Sequence, residues 1–257
     1  MMDSKVVDGA LREPIWPALK QAGFRRRTGR TAWRDQGEAV QCVNVQSFNS
    51  YLADGMGATT FSFGVHLGAF YDAIATRSAM GGFVHDRTRP KEYQCHLRKV
   101  LMKGFAQPNL WTRPRFGLGR RRPTLGKWSD RPDVWLVLPD GSNVEVVVRD
   151  ALDRLLADGL PWLDRVSEPG EAIRRFFEEP DVFVRRGIVA EWYGGTLGSP
   201  SRWRSIAALA AARRDWKLLE MATNQMSRQA YWRDHPKDLD AFGEELRAGE
   251  VSETTTR

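Results

Sequence analysis

The clearest pattern in the chain is the alternation Phe61, Phe63, Val65, Leu67 and Ala69, with small or polar residues between. Side chains of a β-strand point alternately to its two faces, so a period of two predicts a strand packed on one side only. Val40–Ser47 reads as its antiparallel partner, joined to it through residues 49–58. With Val43 and Val45 inward, Asn44 and Gln46 fall on the opposite face, together with Ser62, Gly64, His66 and Gly68. Residues 92–101 offer a third strand, with Cys95 and Leu97 inward and His96 and Arg98 on the open side. Val100 breaks that alternation and leaves a helix as the alternative.

Period-3.6 patterns surround these strands. Leu11, Ile15, Ala18, Leu19 and Ala22 mark a helix over residues 8–22, with Pro14 in its first turn and Gly23 as its stop. Residues 24–27 and 31–35 read as a hairpin about Gly29, with Trp33 packing inward. Residues 134–138 read as a short strand, and Pro139-Asp140-Gly141 as a turn. Ser142 and Glu145 have capping-box spacing ahead of a helix face at Val144, Val148, Leu152, Leu155 and Leu156, which Gly159 ends; the valines at 144 and 146–148 fit a strand as well. Ser167 caps a further helix carrying Ile173, Phe176 and Phe177. Beyond the break at residues 194–200, residues 201–213 and 215–229 predict an antiparallel helical hairpin. The expected architecture is α+β: an antiparallel β-sheet with helices packed mainly on one face, plus a C-terminal helical hairpin. Its expected divisions are a core domain (8–180, with 105–131 as a basic loop or insertion), the hairpin region (181–232) and a polar, disordered tail (233–257).

A chain of 257 residues, 42% apolar and 28% charged, suffices for a substantial core. It has no apolar run of the ~20 residues a membrane span requires and no apolar leader, so a cytoplasmic protein without membrane contact is expected. Two cysteines, Cys42 and Cys95, make neither a disulfide framework nor a zinc motif. The net charge of +7 directs attention to anionic partners, nucleic acid included. The positive charge concentrates at Arg25, Arg26, Arg27 and Arg30, and at Arg113, Arg115, Arg120, Arg121, Arg122, Lys127 and Arg131.

One family matches the order of these signals. Gly23-Phe24-Arg25-Arg26 closes the first helix and Thr31-Ala32-Trp33-Arg34 follows. Then come Val43-Asn44-Val45-Gln46-Ser47, Phe61 to Gly68, Cys95-His96-Leu97-Arg98 and Gly159-Leu160-Pro161-Trp162-Leu163. Over residues 11–177 this series resembles the bacterial "domain of unknown function 4304" family. The resemblance implies an α+β fold and supplies no activity, cofactor or catalytic residue. The basic stretch at residues 113–131 stands out as an insertion relative to it.

Candidate chemistry is sparse. If the three strands are neighbours, Asn44, Gln46, Ser62, His66, His96 and Arg98 converge on one sheet face beside Gly64 and Gly68, where backbone is accessible. Arginine with amides and imidazoles suits a carboxylate, a phosphate or a polar protein segment; the alternative is a polar face satisfied internally. Two histidines without nearby carboxylates are too few for a metal, and no cofactor is expected. Asp133 and Glu145 resemble an acidic nuclease pair, but Val147 stands where that chemistry needs lysine. Residues 194–201 with Arg202 and Arg204 offer an anion site at a helix start, or simply a linker. The leading expectation is a non-catalytic binding protein, immunity-type or regulatory, holding a protein segment or small anionic ligand. The alternatives are nucleic-acid binding through Arg25, Arg26, Arg27, Arg120, Arg121 and Arg122, and an enzyme of unknown reaction at the His/Arg cluster.

Overall fold

The computed structural model describes residues 4–56, 58–76, 86–105, 107, 131–178, 191–193 and 200–248. Among these, six strands form one antiparallel sheet whose spatial order follows the chain: β1 (Arg26–Thr28), β2 (Thr31–Asp35), β3 (Ala39–Ser47), β4 (Phe63–Tyr71), β5 (Leu97–Val100) and β6 (Glu191–Tyr193). The central ladder sets Val43 opposite Leu67, Asn44 opposite His66 and Val45 opposite Val65. Val43, Val45, Phe63, Val65, Leu67, Ala69 and Tyr71 therefore share one buried face, as the alternation predicts. Burying each large apolar side chain among them contributes about 1.5–3 kcal/mol.

The helices cover that face. In α1 (Ser4–Gln21), Val7, Leu11, Ile15 and Leu19 repeat every fourth residue and are buried. The helix begins earlier than expected, so Pro14 and Pro17 both lie inside it. The carbonyls they orphan belong to half-buried Ala10 and to exposed Glu13, neither of them in the fully buried stripe. α2 (Ser50–Met56) occupies the β3–β4 link, and α3 (Asp72–Thr76) follows β4.

The next helix departs from its expected bounds at both ends. α4 (Val144–Arg154) is preceded by Asn143, whose side chain bonds the backbone of Leu136 and Leu138, while Ser142 bonds Asp140; the Ser142–Glu145 capping box does not form. Gly159 does not end the helix. A π-helical stretch (Leu155–Gly159) carries it straight into α5 (Leu160–Ser167). Pro161 has no N–H to return to the preceding turn, and a π-helical turn is a common way to absorb such a defect. Gly159 instead permits close approach: a Cβ there would lie 3.1–3.2 Å from the side chains of Leu155, Leu101 and Leu67.

Ser167 is the last residue of α5, and Glu168 precedes α6 (Pro169–Phe177). α5 sits on β3 and β4 through a polar seam within the apolar core. Arg34 donates to Gln41 Oε1 (2.7 Å), to Ala22 O (2.7 Å) and to Asp164, while Gln41 Nε2 donates to Leu163 O and Ser167 Oγ. Tyr71 Oη donates to Val166 O. Trp33 points the other way, into a second cluster across the sheet, because Ala32 and Arg34 hold the helix-facing positions of β2.

The expected hairpin is formed by α7 (Pro200–Ala212) and α8 (Trp216–Ser227), with Asp215 accepting from Leu218 N at its cap. Its buried residues join the same cluster as the sheet and α1, so one core runs through both of the expected regions. The chain does not then become a featureless tail. α9 (Ala230–Asp234) and α10 (Pro236–Ala248) follow, and Trp232, Phe242 and Leu246 are buried. Three apolar residues in a polar stretch are enough to seat a helix on a preformed surface.

Candidate functional site

The sheet face away from the helices divides into a covered half and a polar half. Over the covered half runs the segment 86–96, including a 3-10 turn (Glu92–Gln94) where a strand was expected. Trp33, Val40, Cys42, Phe70 and Cys95 form a small buried cluster beneath it, and Trp33 Nε1 donates to Pro90 O (2.8 Å). Cys95 belongs to this cluster rather than to the main core, since the turn carries it over the sheet before β5 begins. The room it needs comes from Gly68, where a Cβ would lie 2.5 Å from Cys95 Sγ.

The polar half is built on one rung across four strands. Thr31, Asn44, His66 and Val100 are successive partners, and Thr31 Oγ1 donates to Asn44 Oδ1 (3.1 Å). Arg98, facing Gly68, extends the group on β5. Glu92, at the start of the 3-10 turn, reaches between the two basic groups: Oε2 lies 4.0 Å from His66 Nδ1 and Oε1 lies 3.9 Å from Arg98 Nη1. At the far end Asp133 is clamped by Arg131, with Nε–Oδ1 at 2.8 Å and Nη2–Oδ2 at 2.6 Å. Gly64 makes room here as well, because a Cβ would stand 3.0 Å from His66 Nε2 and 3.2 Å from Asp133 O. Both glycines thus accommodate the protein's own groups.

Burial governs the electrostatics. It lowers His66 to about 4, with Asp133 pulling upward and Arg98 pushing further down, so the imidazole is neutral at pH 7. Burial raises the Glu92 carboxyl, against the opposing pull of Arg98. The side chains of His66 and Arg98 keep 21% and 27% exposure, so the cluster reaches solvent.

The remaining candidates lie elsewhere. Gln46, half-buried opposite Gly64, lies two rungs from Asn44 on the same face. Ser62 is fully buried before β4 begins; its Oγ accepts from Thr59 N (3.2 Å) and Val137 N (3.1 Å), pinning the strand's base rather than lining its face. His96 stacks on Phe70 and accepts the Tyr71 N–H at Nδ1 (2.9 Å); burial lowers it to about 3. That is an internal backbone contact at the end of the ladder.

In the first basic cluster, Arg26 pairs with Asp35 (3.7 Å) and Arg30 with Asp8 (2.6 Å). Arg25 and Arg27 stay exposed, the latter over the Trp16 ring. Arg113, Arg115, Arg120, Arg121, Arg122 and Lys127 lie outside the described residues, as does the glycine-rich stretch 194–199. Arg202 and Arg204 are buried: Arg202 donates to Phe176 O and Glu178 O, closing the end of α6, and Arg204 lies over both the Trp232 and Phe242 rings, which stack on each other. Both guanidinium groups are engaged by the protein itself.

Glu145 is exposed on α4, away from Arg131-bound Asp133, and Val147 is fully buried. Among the described residues no group of three or more His, Cys, Asp or Glu is placed to hold a metal ion. None of the described helices is long and apolar enough to cross a membrane. A depression of about 660 Å³ between α2 and the start of β4, lined by Tyr51, Phe61 and Pro139 among others, has no charged side chain among the described residues that line it.

Fold and face together define an α+β protein whose antiparallel sheet is covered by helices on one side and presents a compact polar cluster on the other. The chain belongs to the family described as "Domain of unknown function (DUF4304)", whose model matches residues 15–165. The matched span takes in the sheet from β1 to β5, the covering segment and nearly all of α5. Comparison with curated proteins and with solved structures gave no match.

Proposed function

We propose that the protein is a binding protein without catalytic chemistry of its own, and that it receives a polar segment of a partner protein on the His66–Glu92–Arg98–Asn44 face. The carrying observation is that these side chains stay partly exposed while offsetting one another: one cation, one carboxylate, a neutral imidazole and an amide. Such a surface offers donors and acceptors in fixed positions with little net charge, which suits hydrogen-bonded recognition of a peptide better than capture of a free anion. A neutral histidine held near 4 is also a weak general base at pH 7.

A photo-crosslinking residue at Gln46, with one at exposed Val146 on α4 as control, would identify the neighbour of this face in cells. The purified neighbour should bind the wild-type chain and lose at least tenfold in affinity to His66→Ala and Arg98→Glu variants. Unchanged affinity in both would refute the reading.

Exposed Arg25 and Arg27 beside Trp16 favour a second reading, nucleic-acid binding. DNA and RNA titrations in rising salt separate the two, since phosphate contacts weaken steeply with salt. Absence of binding at low salt would eliminate it.

A further inference from the structure

We propose that Cys42 and Cys95 form a dithiol–disulfide couple that staples the segment 86–96 to the sheet. The couple does not depend on what the polar face binds. Cys42 lies on β3 and Cys95 just before β5, on either side of β4. Two strand spacings come to about 9.6 Å, beyond the ~7 Å between Cα atoms that a disulfide can bridge. The 3-10 turn removes that obstacle by arching over β4. Cys95 Cβ and Sγ come to stand where residue 68 would carry its side chain, 2.6 and 2.5 Å from that Cβ position, and Gly68 is the direct ladder partner of Cys42. Both sulfurs are buried in one apolar cluster, walled by Trp33, Val40 and Phe70. Cys95 Sγ lies 3.5 Å from Lys91 O, within the segment to be stapled, and after burial the neighbouring Cys42 thiol helps to push the Cys95 thiol up. Both cysteines are free in this structure.

The chemistry balances with a hydroperoxide as oxidant. One sulfur attacks the peroxide oxygen, the O–O bond breaks, and a sulfenic acid forms as the alcohol (water, from hydrogen peroxide) departs. The second sulfur attacks the sulfenic sulfur, the S–S bond forms and a water molecule leaves. Two electrons pass from the two thiols to the peroxide. Burial sets the pace: it pushes the Cys95 thiol up, so the pair stays reduced until the segment opens or a small oxidant enters. Once formed, the bond ties Glu92, three residues before Cys95, in place beside His66.

The test uses the whole chain. Hydrogen peroxide is added to the folded protein, followed by non-reducing peptide mapping, thiol counting in denaturant and thermal melting with and without dithiothreitol. The expected result is an intramolecular Cys42–Cys95 peptide, simultaneous loss of both thiols, and an oxidised form that melts several degrees higher than the reduced one. Dithiothreitol should restore the lower midpoint, and a Cys95→Ala chain should show no oxidation-dependent shift. Intermolecular dimers as the main product, over-oxidation of one cysteine alone, or an oxidised form melting no higher than the reduced one would each overturn the proposal.

Discussion

His66 and His96 hold neutral rings in the folded chain for different reasons of place. His66 sits under Glu92 on the sheet face, and His96 lies against Phe70 with its Nδ1 taken by the Tyr71 N–H. Burial depresses both, to about 4 and about 3, against about 6.5 in the unfolded chain. Below pH 6.5 the unfolded chain therefore takes up protons that the folded chain refuses. Stability falls with pH, by up to ~1.4 kcal/mol per pH unit for each ring, and the loss levels off below the folded values. Glu92 acts in the opposite sense just above pH 4.5, because its raised carboxyl binds a proton more readily in the folded chain. Urea unfolding at pH 7, 6 and 5 should show a falling midpoint, and a His96→Gln chain should show a shallower fall. A midpoint constant from pH 7 to 5 would contradict the buried, neutral assignment. Asn44, His66 and Arg98 were legible as one face because a period of two fixes the side of every strand residue. Glu92 and Asp133 were not, since turns carry them to the site and no periodicity governs where a turn delivers a side chain.

Among the elements, the helical run from α4 through α5 is the one whose sequence signal and structural role diverge. Gly159 and Pro161 together ordinarily punctuate a helix. Here the π-helical stretch absorbs the proline, and the glycine brings the helix down onto β4. In an exposed helix, glycine to alanine would gain about 0.5–1 kcal/mol. At residue 159 the added methyl meets Leu155, Leu101 and Leu67 together at 3.1–3.2 Å, and all three are fully buried. Overpacking, typically 1–3 kcal/mol, outweighs the propensity gain, so Gly159→Ala should lower stability by about 1 kcal/mol. Denaturant unfolding with an unchanged slope is the measurement; a stabilised variant would mean that the leucines yield freely. The strands and most helices were readable because each carries its own period. The sequence pattern carries the third strand back to residue 92, into the covering segment, because a 3-10 turn of three residues has no period to detect.

At the scale of the molecule, the core passes from the sheet through α6 and α7 to α10, held at the far end by Arg204 over the stacked Trp232 and Phe242 rings. The α10 region looked like a tail because its apolar residues are few. A helix seated on an existing core needs little apolar surface of its own. The described chain on either side of residues 108–130 is joined across a narrow neck. Lys103 N donates to Pro132 O (2.7 Å), and the Gln107 amide bonds both the N–H (2.9 Å) and the carbonyl (3.0 Å) of Leu136. Replacing residues 108–130 with a short glycine–serine linker should leave the thermal midpoint within a few degrees, since closing a loop of different length changes stability by only about 0.6 kcal/mol per doubling. Failure of that shortened chain to fold would show that the stretch is part of the core.

The neck also has a consequence for a broken chain. Lys103 and Gln107 lie on one side of residues 108–130 and their partners Pro132 and Leu136 on the other, so a single protease cut between them should leave two fragments that stay together until the protein is denatured.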